Sequence, residues 1–74
     1  MDKVESLVTA LGGKDNISSV EACITRIRVV VNSTDQVSEQ DLKDSGAYGV
    51  VVQANNVVQV VLGPEAENIA ERMV

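Results

Sequence analysis

The chain has 74 residues, of which eleven are acidic and six are basic, giving a formal net charge of −5. This acidic balance argues against nucleic-acid binding, which depends on basic surface. The sequence contains no His and one Cys, which excludes histidine catalysis, histidine-ligated metals, Cys-rich zinc sites and an internal disulfide. We expect one small domain over residues 1–74, located in the cytoplasm and not inserted into a membrane.

Apolar periodicity and turn residues predict seven elements. In chain order these are a helix over 2–11, a short strand within 16–22, a strand over 25–31, a helix from the N-cap Ser38 to Gly46, strands over 49–54 and 57–62, and a helix opened by Pro64. Strands joined by short turns pair antiparallel, and the helices then cover one face. The predicted fold is α+β, a four-stranded antiparallel sheet with three helices on one face, in the order α-β-β-α-β-β-α.

The chemistry-bearing residues are concentrated around Cys23, which is followed by Thr25, Arg26 and Arg28. Cys23 is expected in the turn between two strands, where its thiol is reachable. Arg26 and Arg28 lie two apart on one strand, so their side chains share a face, roughly 6–7 Å apart at their bases. Guanidinium groups bind phosphate oxygens in a bidentate manner, and turn amides can add N–H donors.

Ordinary structural roles compete with this interpretation. A lone Cys is usually a small buried hydrophobic residue, and two arginines on a strand usually form a solvated face. Two further functions remain open on the residues alone. Cys23 could serve a redox-sensing thiol domain, or the fold could be a noncatalytic regulatory module that binds another protein.

Residues 22–29, A-C-I-T-R-I-R-V, resemble the A-C-I-T-R-L-R signature of IIB domains from bacterial phosphoenolpyruvate-dependent sugar phosphotransferase systems, in the glucose/N-acetylglucosamine family. Segments 11–17, 46–50 and 58–63 resemble further motifs of that family in the same order, so the likeness covers nearly the whole chain. The departures are Ile27 in place of Leu and Glu21 where Asp is common. The family fold is the one predicted above.

The resemblance implies a protein-phosphocysteine–sugar phosphotransferase with two partners. Cys23 would accept a phosphoryl group from a phosphohistidine on a IIA protein or domain and pass it to N-acetylglucosamine or glucose held by the membrane permease IIC during uptake. The implied catalytic residues are Cys23, Arg26 and Arg28, and the implied phosphate-binding residues are Ile24, Thr25 and Gln59. No metal or cofactor is implied.

We also predict the roles of three further side chains, Ile24, Glu21 and Tyr48. Ile24, if exposed, would anchor the IIA surface. Glu21 would repel a phosphate, so its carboxylate is expected to point away or to pair with an arginine. Tyr48 is expected to pack rather than take part in chemistry.

Overall fold

A computed structural model describes residues 2–73. Its helices are α1 (Lys3–Ala10), α2 (Glu39–Asp44) and α3 (Ala66–Met73), and its strands are β1 (Ile17–Cys23), β2 (Arg26–Val31), β3 (Gly49–Val52) and β4 (Val57–Val61). The element order is the predicted α-β-β-α-β-β-α. The α+β fold is confirmed.

The four strands form one antiparallel sheet in the order β1-β2-β4-β3. The long connection through α2 and β3 therefore brings β4 beside β2 at the centre, although the two strands are far apart in sequence. In this register Arg26 lies opposite Val61, and Arg28 lies opposite Gln59. Residues from both halves of the chain thus meet on the sheet.

The two faces of the sheet differ because side chains alternate along each strand. On β2, Ile27, Val29 and Val31 are buried, whereas Arg26 and Arg28 are exposed. The buried face packs against the helices through a core that includes Leu7, Leu42, Val58, Val60, Ala66 and Ile69. All three helices cover this face, as predicted, and leave the arginine face open.

The strand ends differ slightly from the sequence-based boundaries. Cys23 was expected in a turn, but it pairs with Arg26 as the last residue of β1. The turn therefore consists of Ile24 and Thr25 alone, which is the two-residue connection common in tight hairpins. The predicted last helix opens with a 3₁₀ turn at Gly63–Glu65, which contains Pro64, and α3 follows it.

Within residues 2–73, no helix is long and apolar enough to cross a membrane.

Candidate functional site

The register aligns two rows of side chains across the open face of the sheet. The row at the hairpin end contains Cys23, Arg26, Val61 and Gly49, and the next row contains Glu21, Arg28, Gln59 and Val51. Facing residues in neighbouring strands are close enough for their side chains to interact. The sheet therefore sets the sole cysteine of the chain beside two arginines.

A concavity of about 540 Å³ lies at this end of the open face. It is lined by all six predicted site residues, namely Cys23, Ile24, Thr25, Arg26, Arg28 and Gln59, together with Glu21 and Ala22. The structure thus brings together every residue that the sequence analysis singled out for chemistry. Their roles in that chemistry remain predictions.

Cys23 lines the concavity as an exposed free thiol. The adjoining turn is tied to the end of β4, because the Thr25 carbonyl accepts hydrogen bonds from the N–H groups of Leu62 and Gly63, both at 2.9 Å. Within residues 2–73, the N–H groups of Ile24 and Thr25 donate no hydrogen bond to a protein acceptor. The turn is therefore held in place, while the N–H groups of the two residues that follow Cys23 remain available as donors.

Ile24 occupies an uncommon conformation at the tip of this turn. Its φ is 55°, in the left-handed region that β-branched residues rarely adopt, and its side chain is 78% exposed. Strain of this kind concentrates at functional sites. The condition set for an anchoring role of Ile24, that it be exposed, is met, and an apolar side chain stands in solvent directly beside Cys23.

The two arginines are held differently. Arg26 Nη1 donates a hydrogen bond of 3.2 Å to Gln59 Oε1, which fixes one side of its guanidinium. Arg28 lies between Glu21 and Gln59 in the second row, and within the described residues it makes no hydrogen bond or ion pair. Arg26 is thus oriented in advance, whereas Arg28 is free to move toward a bound anion.

Of the two alternatives predicted for Glu21, pairing with an arginine is not observed in the described residues. Glu21 shares a face with Cys23, since residues two apart on a strand point the same way, and it lies opposite Arg28. Its side chain therefore begins on the face that carries the site, and Glu21 lines the concavity there as well as a second one beside α3. The same period of two that placed the arginines could have placed Glu21.

Tyr48 is less enclosed than a packing residue usually is. Its side chain is 76% exposed, although its ring lies against Gly63, where an added Cβ would come within 2.9 Å of Tyr48 Cε2. Tyr48 does not line the concavity. It therefore packs locally at the end of β4, outside the cluster around Cys23.

The described residues contain no group of three or more His, Cys, Asp or Glu side chains placed to hold a metal ion. The positive charges of the site come from Arg26 and Arg28. Both are suited to planar oxyanions such as phosphate.

Comparison with known proteins identifies the family. A family model described as "phosphotransferase system, EIIB" matches residues 5–37, which contain Cys23, Arg26 and Arg28. The "PTS system N-acetylglucosamine-specific EIIB component" of Streptomyces coelicolor is 48% identical over 68 residues, a match that covers 92% of this chain and 87% of that protein. The chain belongs to the EIIB family of the phosphotransferase system. EIIB is the IIB component predicted from the sequence.

Two further likenesses agree with this assignment. The "PTS system glucose-specific EIICBA component" of Staphylococcus carnosus is 46% identical over 67 residues, which are 90% of this chain but 10% of that longer protein. A crystal structure of one domain of a PTS system IIabc component from Clostridium difficile matches with a TM-score of 0.80 and 25% identity, over 96% of this chain and 74% of that one. The predicted family, fold and phosphotransferase class of the EIIB domain are confirmed.

Proposed function

We propose that Cys23 of this EIIB domain carries a phosphoryl group from a IIA phosphohistidine to a sugar held by IIC. The observation that supports this proposal most directly is the arrangement of side chains in the two rows on the open face. They place one exposed thiol, two guanidinium groups and an anchoring Gln59 around a single concavity. EIIB membership supplies the reaction class, and the site supplies the residues for it.

In the first transfer, the Cys23 thiolate attacks the phosphorus of the IIA phosphohistidine. An S–P bond forms and the P–N bond breaks, and its electron pair stays on the imidazole nitrogen, which takes up a proton. Cys23 can reach a partner because it lies at the end of an exposed strand rather than in the core. Ile24, apolar and exposed beside it, is the proposed anchor for the IIA surface.

Arg26, Arg28 and the hairpin turn neutralise the charge of the transferred group. Phosphoryl transfer depends on positioning and on stabilising the equatorial oxygens. Gln59 orients Arg26, while Ile24 and Thr25, whose N–H groups are free in the described residues, follow Cys23 in the turn and line the same concavity. Charged and amide donors together can replace the water that a phosphate loses on binding.

In the second transfer, a sugar hydroxyl oxygen attacks the phosphorus of phospho-Cys23. The new O–P bond forms as the S–P bond breaks, the electron pair returns to sulfur, and the hydroxyl proton leaves to a base or to solvent. Arg28 suits this step because it is not held by another side chain in the described residues and can follow the group as it moves. We propose that Arg26 and Arg28 increase the rate of this onward transfer to the sugar more than the rate of the first transfer.

The partners follow from the relatives. The Staphylococcus carnosus protein is named as an EIICBA component, so EIIC, EIIB and EIIA are joined in its name. We propose that this domain, spanning residues 1–74, works with IIA and IIC components in the same way, in the cytoplasm and without a cofactor or metal. N-acetylglucosamine is the first sugar to test because it is named for the Streptomyces coelicolor relative, and glucose is the second.

The paired arginines favour phosphoryl transfer over the alternatives. A redox-sensing thiol needs a single cation to favour its thiolate, and a noncatalytic binding module needs no thiol. Neither alternative accounts for Gln59 holding Arg26 on the same face as Cys23.

A reconstituted sugar-phosphorylation assay tests the proposal. The chain is combined with phosphoenolpyruvate, the general phosphotransferase proteins, a IIA protein and membranes that contain an EIIC component, with N-acetylglucosamine or glucose as acceptor. We expect sugar phosphate with the wild-type chain and background levels with Cys23→Ser. Arg28→Lys keeps the charge but loses the bidentate fork, and should lower the rate of sugar phosphorylation about 10-fold or more. Wild-type rates in Cys23→Ser would refute the proposal.

A further inference from the structure

Glu21 shares the open face with the residues proposed to bind phosphate. It lies two positions before Cys23 on β1, faces Arg28 across the ladder and lines the same concavity. Residues at this spacing on a strand are roughly 6–7 Å apart. A negative charge so close to a phosphoryl-accepting sulfur disfavours the phosphorylated state, so its presence calls for an explanation.

Structural roles do not account for Glu21. It is exposed, and within residues 2–73 its carboxylate forms no ion pair and caps no helix. The carboxylates that do form ion pairs, Asp2 and Glu65, lie away from the concavity. Glu21 therefore adds a negative charge to the site, while its carboxylate forms no ion pair or helix cap that would stabilise the fold.

We propose that Glu21 tunes the phosphoryl-transfer potential of Cys23. With Arg26 and Arg28 alone, the concavity would carry two positive charges, and Glu21 reduces the local sum to one. The phosphoryl group brings about two negative charges. A site with two unopposed arginines would hold that group too firmly to release it, whereas Glu21 destabilises phospho-Cys23 and favours its onward transfer. This inference rests on the proposed function of Cys23.

The expected size of the effect follows from Coulomb's law. A carboxylate and a phosphoryl dianion at this separation, in the high dielectric of an exposed site, repel each other enough to change an equilibrium about 3- to 10-fold. The Debye length is about 10 Å at 0.1 M salt and about 3 Å at 1 M salt, so the effect should shrink at high ionic strength. A purely structural effect of Glu21 would not depend on salt in this way.

One arm of the test measures the local charge without any partner protein. The rates at which Cys23 reacts with iodoacetate, an anion, and with iodoacetamide, its neutral analogue, are measured at low salt and expressed as a ratio. This ratio cancels any change in the amount of thiolate. We expect Glu21→Gln to raise the ratio about twofold or more at low salt and Glu21→Asp to leave it near the wild-type value. Glu39→Gln, on α2, makes the same change in net charge and should have no effect.

The second arm measures the equilibrium between phospho-IIA and phospho-Cys23. The IIA protein that phosphorylates the wild-type chain is mixed with each variant, and the phosphorylated fraction of both proteins is determined by intact-protein mass spectrometry. We expect Glu21→Gln to shift the equilibrium about 3- to 10-fold toward phospho-Cys23, with a smaller shift at 1 M salt. Glu21→Asp should restore the wild-type position.

The outcomes separate this inference from the proposed function. An unchanged equilibrium in Glu21→Gln, or an equal shift in Glu39→Gln, overturns the role of Glu21 while leaving Cys23 as the acceptor. An unchanged reagent ratio overturns it as well, because the carboxylate then exerts no field at the sulfur. If wild-type Cys23 takes up no phosphate from phosphorylated IIA, the proposed function fails, and the role of Glu21 fails with it.

Discussion

Ile24 shows how a single residue connects strain with function. It is a β-branched residue at φ 55° and lies in solvent, so neither its conformation nor its burial favours folding. A residue that costs stability in both ways is better explained by an interaction outside the chain. We assign that interaction to the IIA surface.

Replacing Ile24 separates the two effects. Ile24→Asn should raise the free energy of unfolding by about 1 kcal/mol, because Asn tolerates the left-handed region, and should slow phosphoryl transfer from IIA because the apolar anchor is lost. Urea denaturation and the initial rate of phosphorylation measure these changes. Val51→Asn is the matched control, since Val51 is 53% exposed in a regular strand, and it should not gain stability. A less stable Ile24→Asn with an unchanged rate would contradict this account.

At the scale of elements, the loop after α1 depends on close packing at Gly12. Gly12 and Gly13 both have positive φ, at 102° and 92°. A Cβ at Gly12 would lie 2.6 Å from Asn16 Nδ2 and 2.9 Å from Gln36 Cβ, whereas a Cβ at Gly13 would meet nothing within 4 Å. The buried Asn16 side chain donates to the carbonyls of Leu11 and Ser33 and accepts from the Ser33 N–H, so it joins this loop to the segment after β2.

The two glycines therefore form a matched pair for mutation. Gly13→Ala should cost about 1–3 kcal/mol from backbone strain alone, because φ 92° and ψ 166° lie in a region essentially confined to glycine. Gly12→Ala should cost about 2–4 kcal/mol, because it also displaces the buried Asn16 from its hydrogen bonds. Denaturant unfolding of both variants measures the difference. An equal loss of unfolding free energy in the two variants would contradict a contribution from the contact between Gly12 and Asn16.

Most elements were predictable because their signals are local. Ile27, Val29 and Val31 alternate with Arg26 and Arg28. This alternation predicted which face of β2 is buried and which is exposed. Ser38 was identified as an N-cap, and its side chain accepts a hydrogen bond from the Asp41 N–H.

The pairing of β2 with β4 is not local, and no short-range pattern specifies it. The family resemblance placed Gln59 in the phosphate site, but the hydrogen bond between Arg26 and Gln59, 33 positions apart, was not predicted. Strand alternation places Glu21 on the same face as Cys23, and the predicted pairing of its carboxylate with an arginine is absent from the described residues. The left-handed conformation of Ile24 was not predicted, since nothing in its residue type favours it.

At the scale of the whole molecule, ion pairs join α1 to the C-terminal region. Asp2 contacts Arg72 at 3.1 Å, and Lys3 contacts Glu65 at 3.0 Å. The Asp2 carboxylate also caps α1 by accepting a hydrogen bond from the Glu5 N–H. That backbone hydrogen bond, helped by the charge of Arg72, holds the pKa of Asp2 below its ordinary value.

The lowered pKa of Asp2 gives a pH dependence of definite sign. A carboxyl group whose pKa is lower in the folded state stabilises the fold above its unfolded pKa, near pH 4, and loses that contribution as the pH falls through the folded value. Asp2→Asn should therefore be less stable than wild type at pH 7, and the gap should narrow as the pH falls below about 4. Thermal unfolding from pH 2 to 7 measures this, with Asp35→Asn as the control. A constant gap across the range would contradict the assignment.

The most direct test of the central claim is the mass of the intact chain after incubation with phosphoenolpyruvate, the general phosphotransferase proteins and a IIA protein. We predict one phosphoryl adduct on the wild-type chain and none on Cys23→Ser, which is nearly isosteric and keeps the open face otherwise unchanged. Phosphorylation of IIA in both samples shows that the donor is active. An unmodified wild-type chain beside phosphorylated IIA, or an equal adduct on Cys23→Ser, would contradict the assignment of Cys23 as the phosphoryl carrier.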